Sequence, residues 1–234
     1  MTDRWDAIVV GAGHNGLVCA ATLAKAGRSV LVLEAKEQVG GAAVSREFAD
    51  GYAVSACAHL LYQLQPEVRR ELGIKPVPAG DDMGTIALAA DGHHVRLSGR
   101  DAAGVSDRDA EQYRRFRKRM ERFADLLRKL FNRSPPRLGT TDWRDLASLA
   151  RLGLNIRRLG RDDMREFLRL IGMNIHDEVS ERFDSPLLRG AVCLDATLGT
   201  HLGPRSPNTI MTYLYRLAGE YGRLSVPRGG MGSV

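Results

Sequence analysis

The chain has 234 residues, of which 44% are apolar and 26% are charged, and this composition excludes wholesale disorder. No run approaches the roughly 18 apolar residues of a membrane-spanning helix, and the N-terminus lacks the pattern of a signal peptide. The three cysteines are far apart and form no CxxC pair, which excludes a disulfide framework and a cysteine zinc site. We therefore expect a cytoplasmic protein without a metal centre.

The first predicted elements form a βαβ unit. The apolar run Ala7–Val10 is typical of a buried parallel strand, and residues 14–26 have the apolar spacing of a helix that ends at Gly27. A second apolar run covers residues 29–33 and ends at Glu34. Strand, helix and strand in this order predict a right-handed parallel unit.

A glycine-rich motif links the first strand to the helix. In a dinucleotide-binding fold the first glycine permits a tight turn, the second lets a pyrophosphate approach the backbone, and the third lets the helix pack close to the strand. The N–H groups of the first helical turn then face the phosphates. Asn15 is expected either to cap the helix or to contact phosphate. The motif reads Gly11-Ala12-Gly13-His14-Asn15-Gly16.

An acidic residue completes the predicted site. Glu34 follows the second strand, close to the roughly 20-residue offset at which an acid bonds the ribose hydroxyls of adenosine. A carboxylate there repels a 2′-phosphate, so NADP is not expected as the ligand. The alternative is a glycine-rich turn of another α/β protein, in which Glu34 is merely exposed.

A hairpin and several helices are predicted after this unit. A short helix is expected at Pro66–Leu72, and strands over residues 85–90 and 93–97 flank Asp91-Gly92, which is a strong hairpin signal. Further helices are predicted over residues 143–152, 162–171 and 209–221.

A long basic helix is predicted between the hairpin and these later helices. Ser106 and Asp109 have the spacing of a capping box that opens it, and it runs to about Phe131. The excess positive charge of the chain is densest at residues 114–119. We favour a solvated charged face over contact with a membrane surface or nucleic acid, because the opposite face has an apolar stripe at helical spacing. The stripe consists of Tyr113, Phe116, Met120, Phe123, Leu127 and Leu130.

The stretch from Asp6 to Glu34, followed by Gly40-Gly41-Ala42-Ala43, resembles the N-terminus of phytoene-desaturase-related, FAD-dependent oxidoreductases. Within that group, the Gly-His-Asn-Gly-Leu sequence and the Gly-Gly-Ala-Ala motif most resemble the pyridine nucleotide-disulphide oxidoreductase domain-containing protein 2 type. Ser206-Pro207 and residues 227–232 also resemble the interior of that family.

The resemblance implies FAD rather than NAD as the cofactor, because a double glycine shortly after the acid is typical of these flavoproteins. Many members have an arginine after the two glycines, whereas this chain has Ala42. No catalytic side chain is predicted, since a flavin performs the chemistry itself. The candidate cofactor-binding residues are Gly11, Ala12, Gly13, Asn15, Gly16, Glu34, Gly40, Gly41 and Ala42.

The predicted organisation is α/β, with a Rossmann-like FAD-binding part over residues 1–60 that contains an incomplete parallel sheet. Residues 61–222 are expected to form an α+β substrate and lid region, with a hairpin at 85–97, and residues 223–234 to begin a return to the first domain. Members of the family are roughly twice as long, so the chain is expected to be a truncated or fragmentary form with an exposed sheet edge.

The favoured hypothesis is an FAD-dependent oxidoreductase of the desaturase or dehydrogenase type, which takes a hydride from a C–H bond of a small apolar substrate. The basic helix would then rest on a membrane surface to admit a lipid-like substrate. The alternative is a non-catalytic dinucleotide-binding remnant, or a half-protein that needs a partner. Nucleic acid is not expected as a partner, because the charged face lacks interleaved aromatic residues.

Overall fold

The computed structural model describes residues 4–80, 83–131, 135–137, 139, 141–220 and 224–234. The chain divides into two compact units. The first unit comprises Met1–Met83 with Gly222–Val234, and the second comprises Gly84–Tyr221.

The first unit contains the predicted βαβ arrangement. Strand β1 (Ala7–Val10) leads into helix α1 (His14–Lys25), and strand β2 (Val30–Leu33) returns beside β1. The two strands are parallel, in a register that pairs Ala7 with Val30 and Val10 with Leu33. The helix is followed by Gly27 at φ +78°, a left-handed conformation that glycine adopts without steric cost.

A hairpin that the sequence analysis did not predict follows the βαβ arrangement. Strands β3 (Ser45–Ala49) and β4 (Tyr52–Ser55) are antiparallel, with a register shift between Glu47 and Ala49. Their turn contains Asp50-Gly51, with Gly51 at φ +77°. This dipeptide is the same signal that predicted the later hairpin correctly. Helix α2 (Pro66–Leu72) has the predicted bounds.

The end of the chain packs within the first unit. Leu61 and Pro78 form isolated antiparallel bridges with Ser225 and Pro227. The Ala79 N–H donates to the Val226 carbonyl at 2.7 Å. Backbone pairing therefore holds the last residues against the segment that follows the hairpin.

The second unit is a helical core with one small sheet. Strands β5 (Thr85–Ala87), β6 (Val95–Ser98) and β7 (Asp101–Ala103) form an antiparallel sheet in that order. The predicted hairpin is present with a shorter first strand, and β7 was not predicted. The helices are α3 (Asp107–Arg128), α4 (Trp143–Arg157), α5 (Arg161–Leu170), α6 (Ile175–Arg182), α7 (Pro186–Thr197) and α8 (Thr209–Glu220).

Helix α3 is the central helix of this core, and four of the six residues of its predicted apolar stripe are buried, while Leu127 and Leu130 are half-buried. Phe116 lies against Phe183 and Tyr213, with ring centroids 5.6 and 5.7 Å apart. Aromatic pairs at this spacing add stability beyond the area that they bury. The helix ends at Arg128, before the expected Phe131, and Lys129 is its C-cap residue.

Several arginines of α3 are buried or ion-paired, although the sequence predicts a solvated basic face. Arg117 is buried, contrary to the prediction, and its Nε lies 3.1 Å from Glu121. Arg114 forms ion pairs with Asp101 and Glu111, and Arg122 forms one with Asp163. Much of the positive charge is therefore neutralised within the unit. Among the helices of the described residues, none is long and apolar enough to span a bilayer.

The predicted capping box of α3 is only half formed. The Ser106 hydroxyl accepts a hydrogen bond from the Asp109 N–H at 3.1 Å, as expected. The Asp109 carboxylate instead accepts the N–H groups of Asp184 and Ser185, each at 2.8 Å. Asp109 is buried, so it joins the start of α3 to the start of α7 rather than completing the box.

Replacing Asp109 by alanine is expected to lower the free energy of unfolding by about 3 kcal/mol, because two backbone N–H groups lose their acceptor. Urea unfolding would measure this loss. The matched control is Asp107→Ala, an exposed acid in the same helical turn, which is expected to cost less than about 1 kcal/mol. Equal losses in the two variants would contradict the assigned role of Asp109.

Candidate dinucleotide-binding site

The turn after β1 requires glycine at two positions for two different reasons. Gly11 has φ +96°, and its N–H donates to the Leu33 carbonyl at 2.7 Å, which joins the ends of the two strands. A Cβ atom on Gly16 would lie 2.0 Å from the carbonyl oxygen of Gly11. Helix α1 therefore packs against the turn at a distance that only glycine permits.

Gly13 differs because its protein surroundings leave room for a side chain. It has φ −71° and is the N-cap residue of α1, a conformation that any residue can adopt. Among the described residues, the one atom within 4 Å of a Cβ on Gly13 would be Gly41 Cα, at 3.9 Å. This is an ordinary contact, so packing within the unit does not explain the glycine.

The start of α1 presents backbone donors. The first intrahelical bond runs from the Leu17 N–H to the Gly13 carbonyl at 2.9 Å. The N–H groups of His14, Asn15 and Gly16 precede that bond, and they carry the positive end of the helix dipole. Asn15 lies in the first turn with an exposed side chain and does not occupy the cap position. An anion placed at Gly13 would therefore face several donors.

The carboxylate of Glu34 is fixed at the glycine-rich turn. Its Oε2 accepts the Ala12 N–H at 2.7 Å, and its Oε1 accepts the Lys36 N–H at 3.1 Å. The bond from Ala12, followed by that from Lys36, lowers the pKa of Glu34. Each oxygen keeps a further lone pair, which can accept a sugar hydroxyl. The interpretation in which Glu34 is merely exposed does not fit these bonds.

The double glycine lies against the same turn. The Gly40 N–H donates to the Ala12 carbonyl at 2.7 Å, and Gly40 forms a parallel bridge with Gly13. Gly41 has φ +60°, and a Cβ there would lie 3.0 Å from Gly13 Cα. The two glycine motifs therefore meet backbone to backbone. The sequence alone did not predict the central position of Ala12, which bonds to both Glu34 and Gly40.

Ala42 lies in a short 3-10 turn, Gly41–Ala43, and its side chain is exposed. Its carbonyl accepts the Ala58 N–H at 2.9 Å. The backbone of Ala42 thus joins the double-glycine turn to the segment after β4. Its methyl group cannot supply the polar contact that an arginine would make.

A third glycine-rich segment packs on the hairpin of β3 and β4. The Ser45 hydroxyl donates to the Gly229 carbonyl and accepts the Gly232 N–H, both at 3.1 Å. The Met231 N–H donates to the Ser55 hydroxyl at 3.0 Å. A Cβ on Gly230 would lie 2.4 Å from the Ser45 hydroxyl oxygen. These glycines allow a close approach to two serines. In the described residues, no group of three His, Cys, Asp or Glu side chains could hold a metal ion.

The lowered pKa of Glu34 predicts how the turn responds to acid. The ionised carboxylate accepts the Ala12 N–H, so its stabilising effect is complete above the ordinary glutamate pKa of about 4.3. The effect is lost as the pH falls through the lower folded-state value. An NMR titration of the Glu34 carboxyl carbon should show a midpoint below the ordinary glutamate value. A Glu34 midpoint at or above the ordinary value would contradict the bond to Ala12.

The strand order, the glycine turn and the anchored acid together define a Rossmann-like dinucleotide-binding domain. Residues 9–72 match the family of NAD(P)-binding Rossmann-like domains. The predicted fold class, an α/β chain with a βαβ unit and a small parallel sheet, is confirmed.

Similarity to individual proteins is more informative than the match to this broad domain family. It is 29% identical over 260 residues to pyridine nucleotide-disulfide oxidoreductase domain-containing protein 2 of Mus musculus, in a match that covers 99% of this chain and 44% of the mouse protein. It is 36% identical over 121 residues to one of the subunits of limonene dehydrogenase from Castellaniella defragrans, in a match that covers 47% of this chain and 22% of that protein. The predicted resemblance to the pyridine nucleotide-disulfide oxidoreductase domain-containing protein 2 type is therefore confirmed.

A solved structure shows the same fold. Cyclohexylamine oxidase from Brevibacterium oxydans IH-35A aligns with a TM-score of 0.56 at 18% sequence identity, covering 99% of this chain and 48% of that chain. The chain spans less than half the length of each of these three proteins. All three are oxidoreductases by name.

Proposed function

We propose that the chain is the dinucleotide-binding part of a flavin oxidoreductase that holds the ADP half of FAD. The observation that carries this proposal is the space beside Gly13, where a Cβ atom would make no close contact with the described protein atoms. Its conformation and protein surroundings accept a side chain, whereas a pyrophosphate at the helix N-terminus would not. The residues present therefore fit a dinucleotide.

In the proposed complex, the N–H groups of residues 13–16 bind the pyrophosphate, and Glu34 accepts the ribose hydroxyls. The bonds from Ala12 and Lys36 orient the Glu34 carboxylate before the cofactor arrives, which lowers the entropic cost of binding. The anchored negative charge repels a 2′-phosphate, and this favours FAD or NAD over NADP.

The double glycine favours FAD. Gly40 and Gly41 bring a second turn against Gly13, and the family resemblance places the flavin half of the cofactor beside such a turn. When bound, the flavin would supply hydride transfer from a C–H bond of the substrate. The role of the protein is then to bind, orient and shield the cofactor, and no side chain is assigned to catalysis.

An apolar substrate is proposed on the strength of two resemblances. The chain resembles phytoene-desaturase-related enzymes over its N-terminus, and one relative is named for the dehydrogenation of limonene. Both describe the removal of hydrogen from a hydrocarbon. The cytoplasm is proposed as the location, as the sequence led us to expect.

The test is to add FAD to the purified chain and to record its visible spectrum and its unfolding. We expect flavin absorption near one equivalent, bleaching when a cyclic alkene such as limonene is added without oxygen, and a stability gain of about 2.7 kcal/mol at 100 times the dissociation constant. A colourless protein that gains no stability from FAD would overturn the proposal.

A second candidate is a non-catalytic half-protein that needs a partner to complete its sheet. The observation in its favour is the exposure of β1, where Val10 is 82% and Ile8 is 58% exposed. Parallel sheets usually have both faces covered. Binding of FAD without bleaching by any alkene or amine tested would favour this candidate.

A further inference from the structure

Helix α4 presents an apolar surface to solvent, unlike the other long helix, α3. Every residue of α4 is exposed or half-buried. Trp143 is 72%, Leu146 is 49% and Leu154 is 46% exposed. Exposed tryptophan and leucine side chains on one helix of a globular protein mark an interaction surface.

These side chains lie on one face. At 3.6 residues per turn, positions 143, 146, 147, 150 and 154 form a continuous stripe, which we call the α4 apolar stripe. Its remaining members are Ala147 and Ala150, and both are exposed. The half-buried Leu149, Leu152 and Ile156 occupy the opposite face. The helix is therefore apolar on both its inner and its outer sides.

A row of arginines borders the stripe. Arg144, Arg151 and Arg158 are seven residues apart and all exposed, so they follow the same side of the helix. The Arg144 guanidinium lies 5.7 Å from the centroid of the Trp143 ring, which places cation and aromatic ring side by side at the start of the helix.

A positively charged cavity continues this row. It has a volume of about 260 Å³ and lies between α3 and the end of α4. Its charged lining residues are Arg122, Asp125, Lys129 and Arg158. Arg122 is ion-paired with Asp163, so Lys129 and Arg158 are the cations that a phosphate in the cavity would meet. Since Arg158 belongs to both the arginine row and the cavity, cationic groups extend along one border of the apolar stripe. Asn155 adds an amide donor to the cavity.

We propose that α4 binds the surface of an anionic phospholipid bilayer. Trp143, Leu146 and Leu154 enter the headgroup boundary, the arginine row contacts lipid phosphates, and the cavity receives one phosphate group. Charge complementarity selects this occupant, because a cationic border beside a tryptophan and leucine stripe matches the layered polarity of an anionic bilayer. Nucleic acid would pair with the arginines but leave the leucines in water.

The structure therefore favours α4, rather than the basic helix α3, as the helix that contacts a membrane. Four residues of the α3 apolar stripe, Tyr113, Phe116, Met120 and Phe123, are buried in the core. Arg114, Arg117 and Arg122 are ion-paired. On α4 the apolar side chains are accessible. The proposal does not depend on FAD binding, so each can fail without the other.

The test uses vesicle flotation together with the fluorescence of Trp143. The chain has two tryptophans, so a Trp5→Phe background isolates the signal of Trp143. With vesicles of phosphatidylglycerol and phosphatidylcholine, we expect co-flotation and a blue shift of the emission, both weaker at high salt. Vesicles of phosphatidylcholine alone should bind much less.

Three variants assign the contact to α4. The double change Leu146→Ser with Leu154→Ser should weaken binding at least about tenfold. Arg151→Gln and Arg158→Gln should each weaken it about fivefold. The matched control is Leu168→Ser with Leu194→Ser, two exposed leucines on α5 and α7, which should leave binding unchanged.

Several results would overturn the proposal. These are no binding to phosphatidylglycerol vesicles, equal losses in the α4 and control leucine pairs, or a dimer without lipid that the α4 leucine changes dissociate. The last result would assign the stripe to a second copy of the chain. Because the substituted side chains are exposed, helix content measured by circular dichroism should be the same in all variants.

Discussion

Replacing Gly13 by alanine is expected to raise the dissociation constant for FAD by about 10- to 100-fold, because a methyl group would occupy the space of the pyrophosphate. The free energy of unfolding should fall by no more than about 1 kcal/mol, since alanine is a poorer N-cap residue than glycine. The new Cβ has room in the protein, with its nearest described neighbour at 3.9 Å. Isothermal titration and urea unfolding would measure the two quantities separately.

Gly16→Ala is the matched control in the same turn. Its Cβ would lie 2.0 Å from the Gly11 carbonyl oxygen, so the variant should lose about 1–3 kcal/mol of folding stability as the helix is pushed from the turn. The two glycines thus serve the ligand and the packing, respectively. FAD binding that is unchanged in Gly13→Ala would contradict the placement of the pyrophosphate.

Replacing Glu178 by alanine is expected to lower the free energy of unfolding by about 3 kcal/mol, because a buried carboxylate that accepts charge-assisted hydrogen bonds from two arginines is lost. Glu178 is fully buried and accepts hydrogen bonds from Arg169, at 2.9 Å, and from Arg182. The same arginines contact Glu166, which with Glu178 raises the pKa of Arg169. The cluster joins α5 to α6 in the second unit.

The exposed acid Glu181, on the same helix, is the control for this prediction. Glu181→Ala should change the free energy of unfolding by less than about 0.5 kcal/mol. Thermal unfolding monitored by circular dichroism would compare the two. A loss at Glu178 as small as that at Glu181 would show that the arginines find other partners when the carboxylate is removed.

The βαβ unit could be predicted closely because its determinants are local. Apolar runs, a glycine turn and a helix stop at Gly27 specify β1, α1 and β2 within one or two residues. The hairpin of β3 and β4 had an equally local signal in Asp50-Gly51, but its strands are mostly exposed and lack alternating polarity. Without that alternation the sequence does not predict two strands around the turn.

The features that sequence reasoning could not supply depend on residues far apart in the chain. Asp109 completes the start of α7 rather than its own capping box, and Arg117 is buried within the core despite lying in a basic run. In the candidate site, the sequence indicated that Glu34 and the glycines act together. It did not indicate that Ala12 links Glu34 to Gly40, since Ala12 makes both bonds with its backbone N–H and carbonyl.

The most direct test is to follow the backbone amide NMR signals of the chain during titration with ADP, which lacks the flavin and therefore reports on the adenosine and pyrophosphate alone. If the turn binds this half of the cofactor, the largest shifts will be those of Ala12, Gly13, His14 and Asn15, and the Glu34 carboxyl signal will move with them. Shifts confined to residues 84–221, with Ala12 and Gly13 unchanged, would show that the nucleotide binds elsewhere.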